Sequence, residues 1–329
     1  MSDSPYYFLS HVIAGCLQFS TNLLICLVIG RFKGLRQQKE YCILFGLGVA
    51  DCLDGLPSFT AGYTRLNQYW HPERRSNETV FSCMTQLHNV LWPFTDTAQS
   101  LMMAAVSMDR LFAVAFPLRY FFLTRRYAVW LVVMIFVYSL ISAGSAWLYP
   151  LGEAGNQSVP ATCYSSSSVG PIFNQYYTNL RVVAAWTSVV LYVLVILTYR
   201  YRATQVAHYL GCGPVQAAHR RKQTRLTRTL AVQCVFTFLL YILPTSIVSI
   251  LPSVHDWTLI RGYLLVLTNA NAIANLFLYL VRLKEFRLGF QKMIRCMSLP
   301  DSTDSWFNNY NDQPLSIKKR SDDRTGTPF

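Results

Sequence analysis

The chain has 329 residues, of which 52% are apolar and only 14% charged, and its formal net charge is +13. The length suggests two soluble domains, but a charged share roughly ten points below that of soluble domains excludes them. The basic excess would suit nucleic acid, yet the charges cluster between long uncharged runs, which is the pattern of a membrane protein.

A bilayer core about 30 Å thick needs about 20 apolar residues per helical crossing. Seven stretches qualify in chain order: 7–29, 41–62, 86–116, 127–150, 176–199, 229–251 and 262–281. The first follows a short N-terminus, 1–6, with no basic residue. Its apolar run is too long for a signal-peptide core, so it reads as an uncleaved first helix. Asn22 lies within it. The second carries Asp51 at its middle and Asp54 one turn later on the same face. The third holds Trp92, Asp96 and Gln99 and ends on Asp109-Arg110. The fourth is free of charge, and the fifth contains Arg181, Trp186 and Tyr199. In the sixth, Pro244 removes a helix hydrogen bond, so a kink is expected near Leu240; Phe238 and Tyr241 flank that point. In the seventh, Asn271, Asn275 and Tyr279 recur every fourth residue and share one face.

Residues 282–297 then place Phe286, Phe290, Met293 and Ile294 on one side and charges on the other, as in an amphipathic helix on a membrane surface. Cys296 at its end is a candidate palmitoylation site, an idle thiol being the equal alternative. Residues 298–329 are rich in Ser, Asp, Asn and Thr and are expected to be disordered. The expected fold class is therefore an all-α membrane protein: a seven-transmembrane helix bundle over 7–281, followed by a short amphipathic eighth helix.

Orientation follows from charge. Of the 29 basic residues, 24 fall in the first, third and fifth junctions and after the last span. Basic residues near span ends stay cytoplasmic, which puts the N-terminus outside and the tail inside. Arg65, Arg74, Arg75 and Arg261 fall in the opposite loops. The sequons at Asn77 and Asn156 lie in loops assigned outside, as glycosylation requires. Of nine cysteines, only Cys83 and Cys163 fall in outer loops, where oxidation is permitted. A disulfide from the head of span three to the second outer loop is the natural inference, two free thiols the alternative.

Polar groups inside a bilayer are costly and usually functional or paired. For Asn22, Asp51, Asn271 and Asn275 the two readings are hydrogen-bonded glue between helices and a water or ion pocket; spacing alone favours glue. Asp96 could be the counter-ion of a cationic ligand, with Trp92, Trp186, Tyr138 and Tyr241 as aromatic lining. Internal pairing with His88, Arg181 or water is the alternative, and intramembrane charges favour it. No cysteine pair has zinc-ligand spacing, and no third group completes a site with Asp51 and Asp54. Neither metal, cofactor nor catalysis is expected. A transporter would predict related halves and helices broken at the midplane, which are not seen. An odorant-gated channel of the insect type would place its tail outside, against the basic-residue distribution.

Taken in order, these residues resemble the rhodopsin-like (class A) G-protein-coupled receptors. Asn22 and Asp51 match the first two spans. Asp109-Arg110-Leu111 looks like the family's Asp-Arg-Tyr, and Phe116-Pro117-Leu118-Arg119-Tyr120 resembles its second inner loop. Phe238 and Pro244 fit span six, Asn275-Leu276-Phe277-Leu278-Tyr279 is similar to Asn-Pro-x-x-Tyr, and Phe286-Arg287 with Phe290 fits the eighth helix. There are departures: Leu111 for Tyr, Leu276 for Pro, Ile242 where a Trp is usual, and no proline in span five. Cys83 also lies 27 residues before Arg110, about two more than usual. Together these features are most similar to nematode serpentine chemoreceptors of the sx class.

The resemblance implies a plasma-membrane receptor for an extracellular ligand, either a small chemosensory molecule or a neuropeptide. Its implied partners are a heterotrimeric G protein, arrestin and membrane lipids. It implies that Arg110 leaves Asp109 to meet the G protein, with Tyr199 and Tyr279 as inner hydrogen-bond partners. Asp51, Asn271 and Asn275 would then form a seam that collapses on activation. A sodium ion at Asp51 is disfavoured, because Gln99 stands where the family has a small hydroxyl.

Overall fold

The structure is a computed structural model that describes residues 5–71, 77–209, 232, 235–250 and 258–295. The basic extension Arg220 to Arg228, Cys234, Cys296 and the tail 298–329 lie outside the described residues. The chain is a succession of helices: α1 (Pro5–Arg31), α2 (Lys39–Trp70), α3 (Leu87–Ala115), α4 (Arg125–Ser145) and α5 (Pro171–Tyr209). They are followed by α6 (Leu243–Ile250), α7 (Thr258–Arg282) and α8 (Lys284–Ile294). Five helical segments are long and apolar enough to cross a membrane: Pro5–Arg31, Lys39–Trp70, Arg125–Leu151, Pro171–Tyr201 and Gly262–Arg282. The helix of span three is diluted by Asp96, Gln99, Asp109 and Arg110, and the described part of span six, Val235–Ile250, is shorter.

The pattern of burial is that of a protein in lipid. On α1, Leu9, Ile13, Leu17 and Leu27 face outward, while His11, Gln18 and Asn22 are buried. On α4 the outward face carries Trp130, Met134, Leu140 and Ile141, and the buried residues are Ala128, Ser139, Ser142 and Ala143. A soluble helix shows the reverse. Lipid tails are as apolar as leucine, so helices associate through close packing and hydrogen bonds instead of hydrophobic burial.

Small residues supply the close packing between α1 and α2. A Cβ on Gly15 would stand 2.5 Å from the backbone nitrogen of Phe59, and one on Gly55 2.7 Å from that of Phe19. Either methyl would push the helices apart. Beyond this pair, α3 packs on α2, α4 and α5, and α7 packs on α1 and α6. The inner core joins Ile25, Ile29 and Leu35 to Leu276, Tyr279 and the fully buried Phe286, which anchors α8 against α1 and α7.

Two features depart from the expectations. The helix of span two does not end at 62 but continues to Trp70, since no proline or glycine interrupts residues 63–70. Arg65, assigned to an outer loop by sequence, is therefore helical and only 3% exposed. Above it the second outer loop is tied down by the Cys83–Cys163 disulfide, with Cα atoms 5.2 Å apart. A two-residue pairing of β1 (Glu78–Thr79) with β2 (Ser158–Val159) joins the same loops. In span six, the break expected near Leu240 takes the form of a π turn, Phe238–Ile242, directly before Pro244. The turn accommodates the missing N–H and the ring of the proline by adding one residue to the helix.

Candidate functional site

Three sets of polar contacts occupy the interior. At the outer end, the Cys163 carbonyl gathers donors: Asn89 Nδ2 at 3.1 Å, His88 Nε2 at 3.4 Å and Arg65 Nη2 at 3.5 Å. Arg65 Nε also donates to the Thr162 carbonyl at 3.0 Å, and its guanidinium lies 4.5 Å from the centre of the Tyr164 ring. Trp92 packs edge-on against His88, with Arg65 5.8 Å from its ring. Cys163 has a left-handed φ of 43°, a conformation unusual for a side-chain-bearing residue. The surrounding donors hold it there.

The second set lies at the middle of α2. Both carboxylate oxygens of Asp51 are taken: Gln99 Nε2 donates to Oδ1 at 2.8 Å and Asn275 Nδ2 to Oδ2 at 3.0 Å. The amide of Gln99 thus occupies the side of Asp51 that a cation would need. Asn22 bridges to the Ala272 carbonyl of α7 at 3.3 Å, and Asn271 reaches Met103 Sδ at 3.7 Å. One turn along α2, Thr95 Oγ1 donates to Asp54 Oδ1 at 2.8 Å and Gln18 Nε2 to Oδ2 at 3.0 Å.

Asp96 stands beside Asp54, within hydrogen-bonding reach. Arg181 Nη1 lies 3.0 Å from Asp96 Oδ2. Of the partners considered for Asp96, the geometry brings Arg181. The guanidinium is also within reach of the Tyr241 hydroxyl, which lies 2.9 Å from Ser100 Oγ. Tyr241 and Ile242 are both buried in the central cluster with Ala98 and Met102. The π turn explains how adjacent residues can both face inward. Trp186 sits elsewhere, at the α5–α6 seam, half in the open, with its indole N–H 3.2 Å from Ser246 Oγ.

The third set is at the inner end of α3. Asp109 Oδ2 accepts the Tyr120 hydroxyl at 3.1 Å and lies 3.7 Å from Arg110 Nε. Tyr120 is shared with Glu40 at 3.2 Å, while Lys39 Nζ sits over its ring at 3.7 Å and donates to the carbonyls of Tyr120 and Leu123. Leu111 packs against Tyr192 and Val195 of α5. Tyr279 is buried, its ring edge-on to Phe286, and Tyr199 is half-buried on α5. A small cavity is lined by Ser107, Ser188, Tyr192, Thr237, Asn271 and Asn275, the last of which also donates to Asp51.

Sequence reasoning missed Gln18, Thr95, Arg65 and Lys39 as parts of these sets. Gln18 had a readable signal, lying one turn before Asn22 on the same face. The sequon asparagines Asn77 and Asn156 are exposed, while Phe238 and Pro244 bound the π turn on either side.

A family model described as serpentine type 7TM GPCR chemoreceptor Srsx matches residues 16–294. Among curated proteins none matches the chain significantly.

Proposed function

The chain belongs to the Srsx family of serpentine chemoreceptors, and from that premise we propose a seven-span receptor that binds an extracellular ligand and activates a cytoplasmic heterotrimeric G protein. The spans run over 7–281, with the N-terminus outside and the tail in the cytoplasm of a plasma-membrane protein. Residues 282–297 form the eighth helix on the inner lipid surface, and 298–329 a disordered tail. Asn77 and Asn156 carry glycans, and Cys296 a palmitoyl chain. Arrestin is a further partner of the active state, and the ligand is a small chemosensory molecule or a neuropeptide.

The observation that carries this reading is the arrangement at Asp109. Its carboxylate takes the Tyr120 hydroxyl and holds Arg110 close by. An arginine so restrained at the cytoplasmic end has little opportunity to donate to the backbone carbonyls of another protein. A ligand that favours a second helix arrangement shifts the population toward a released Arg110. Tyr199 and Tyr279 then receive it, and the Asp51–Asn275 seam with Asn22, Gln99 and Asn271 rearranges in step. Phe238, Tyr241 and Pro244 place the bend of span six where that movement pivots.

The test is agonist-stimulated nucleotide exchange on added G proteins, with ionic current recorded in the same cells. Arg110→Ala is expected to abolish exchange at normal surface expression. Undiminished exchange in that variant, or current without exchange, overturns the reading.

A further inference from the structure

We propose that Arg181 is the anchor for a small carboxylic acid, and that Asp96 is an internal stand-in that the ligand's carboxylate displaces. The inference deepens the receptor reading and rests on it, naming the chemical class of the extracellular ligand.

Four observations lead there. First, the cluster holds two acids and one guanidinium: Asp54 on α2, Asp96 on α3 and Arg181 on α5. Second, Asp54 has hydrogen-bond donors of its own, Thr95 to Oδ1 and Gln18 to Oδ2. Third, Arg181 is underused. Asp96 engages it through Nη1 and the Tyr241 hydroxyl is within reach, while its buried Nε has no hydrogen-bond partner among the described residues. A guanidinium presents parallel N–H groups suited to grip a carboxylate at two points, and the Nε position of that fork is open. Fourth, the side chains of Arg181 and Asp96 keep 13% and 10% of their surface accessible, so the pair is not sealed. The ring of Tyr177, 5.6 Å from the guanidinium, offers apolar surface to the remainder of a ligand.

The exchange balances in charge and protons. A neutral acid, RCOOH, enters and transfers its proton to the Asp96 carboxylate. The resulting RCOO⁻ pairs with Arg181 through Nε and Nη, and the Asp96–Arg181 ion pair breaks. Protonated Asp96 turns its new O–H toward Asp54, which lies within hydrogen-bonding reach. The interior holds the same net charge before and after, so the exchange adds no charge to a medium that penalises it. A cationic ligand has no such route: it would draw Asp96 from Arg181 while bringing no anion of its own to take that place. The ionisable groups facing Asp96 are Asp54 from α2, Arg181 from α5 and Tyr241 from the π turn before α6; α1 contributes the uncharged Gln18.

The experiment uses purified full-chain receptor in lipid nanodiscs. Thermal unfolding is followed with hexanoate and benzoate, and with the matched amides and primary amines. The acids should raise the unfolding temperature, more at mildly acidic than at neutral pH, while amides and amines do not. Asp96→Asn removes the competitor and should tighten acid binding by roughly tenfold, the worth of one charged hydrogen bond. It should also flatten the pH dependence. Arg181→Gln strands Asp96 and could fail to fold, so Asp96→Asn/Arg181→Gln serves as its partner variant, expected to fold and to ignore acids. No shift with either acid, an unaltered response in the double variant, or a response to amines lost in Asp96→Asn each overturns the proposal. Nucleotide exchange is read in parallel. Acids that bind through Arg181 and evoke ionic current without exchange sustain this inference and defeat the receptor reading. Exchange evoked by amines or amides alone does the opposite.

Discussion

The Tyr120 hydroxyl donates to Asp109 Oδ2 at 3.1 Å, closer than the 3.7 Å separating that oxygen from Arg110 Nε. The tyrosine of the inner loop, as much as the neighbouring arginine, therefore holds the acid. Tyr120→Phe removes that hydroxyl and keeps the ring under Lys39. A charged-acceptor hydrogen bond is worth about 1.5–3 kcal/mol, so basal nucleotide exchange should rise about tenfold. Equal basal exchange at equal surface density would refute this account of the restraint.

Gln99 and Asn275 fill both oxygens of Asp51 from two different helices. Gln99→Ala strands Oδ1 in the interior, which costs about 1–3 kcal/mol. The purified protein should unfold several degrees lower, and more rapidly. Gln99→Glu should be worse, since two carboxyls would then meet. Unfolding at the wild-type temperature in both variants would mean that the seam is not holding these helices.

The contact of Gly15 with Gly55 sets the spacing of α1 and α2. Gly55→Val forces a branched side chain against the backbone of Phe19, and overpacking of this kind costs about 1–3 kcal/mol. Surface expression should fall sharply, with Gly55→Ala intermediate. Gly144, beside which there is open space, is the control: Gly144→Ala should express normally.

Arg65 binds the second outer loop through two carbonyls and the Tyr164 ring. Arg65→Ala should speed hydrogen exchange at residues 161–165 by tenfold or more for about 1.4 kcal/mol of lost restraint. Arg65→Lys, which keeps charge but loses the fork, should fall between. Exchange rates unchanged in Arg65→Ala would show that the disulfide alone holds the loop.

Much of this was legible in the chain, for particular reasons. Asn275 and Tyr279 recur at helical spacing, so their common face could be read directly. Cys83 and Cys163 were the only cysteines that the charge distribution assigned to outer loops, and the structure joins them. Gln99 as the partner of Asp51 could not be read, because a bond between two helices depends on how each is rotated about its own axis. Arg65 was misplaced because a helix that runs past the lipid boundary announces no stop, and the apolar run ends several residues before the helix does. Pro244 signalled a disruption but not its kind. Whether a helix bends or takes in an extra residue depends on neighbours such as Ser100, which offers Tyr241 a partner.

That extra residue has a bearing on comparison between receptors. Chain after Phe238–Ile242 is rotated by roughly a quarter turn relative to an uninterrupted α-helix. Numbers counted back from Pro244 therefore stay in phase only as far as Ile242. Residues before the turn keep one phase and those after it another. Position-by-position transfer of pocket residues from an unbulged relative would select the wrong side chain on one half of the helix. An alignment that opens a one-residue gap within the bulge corrects this.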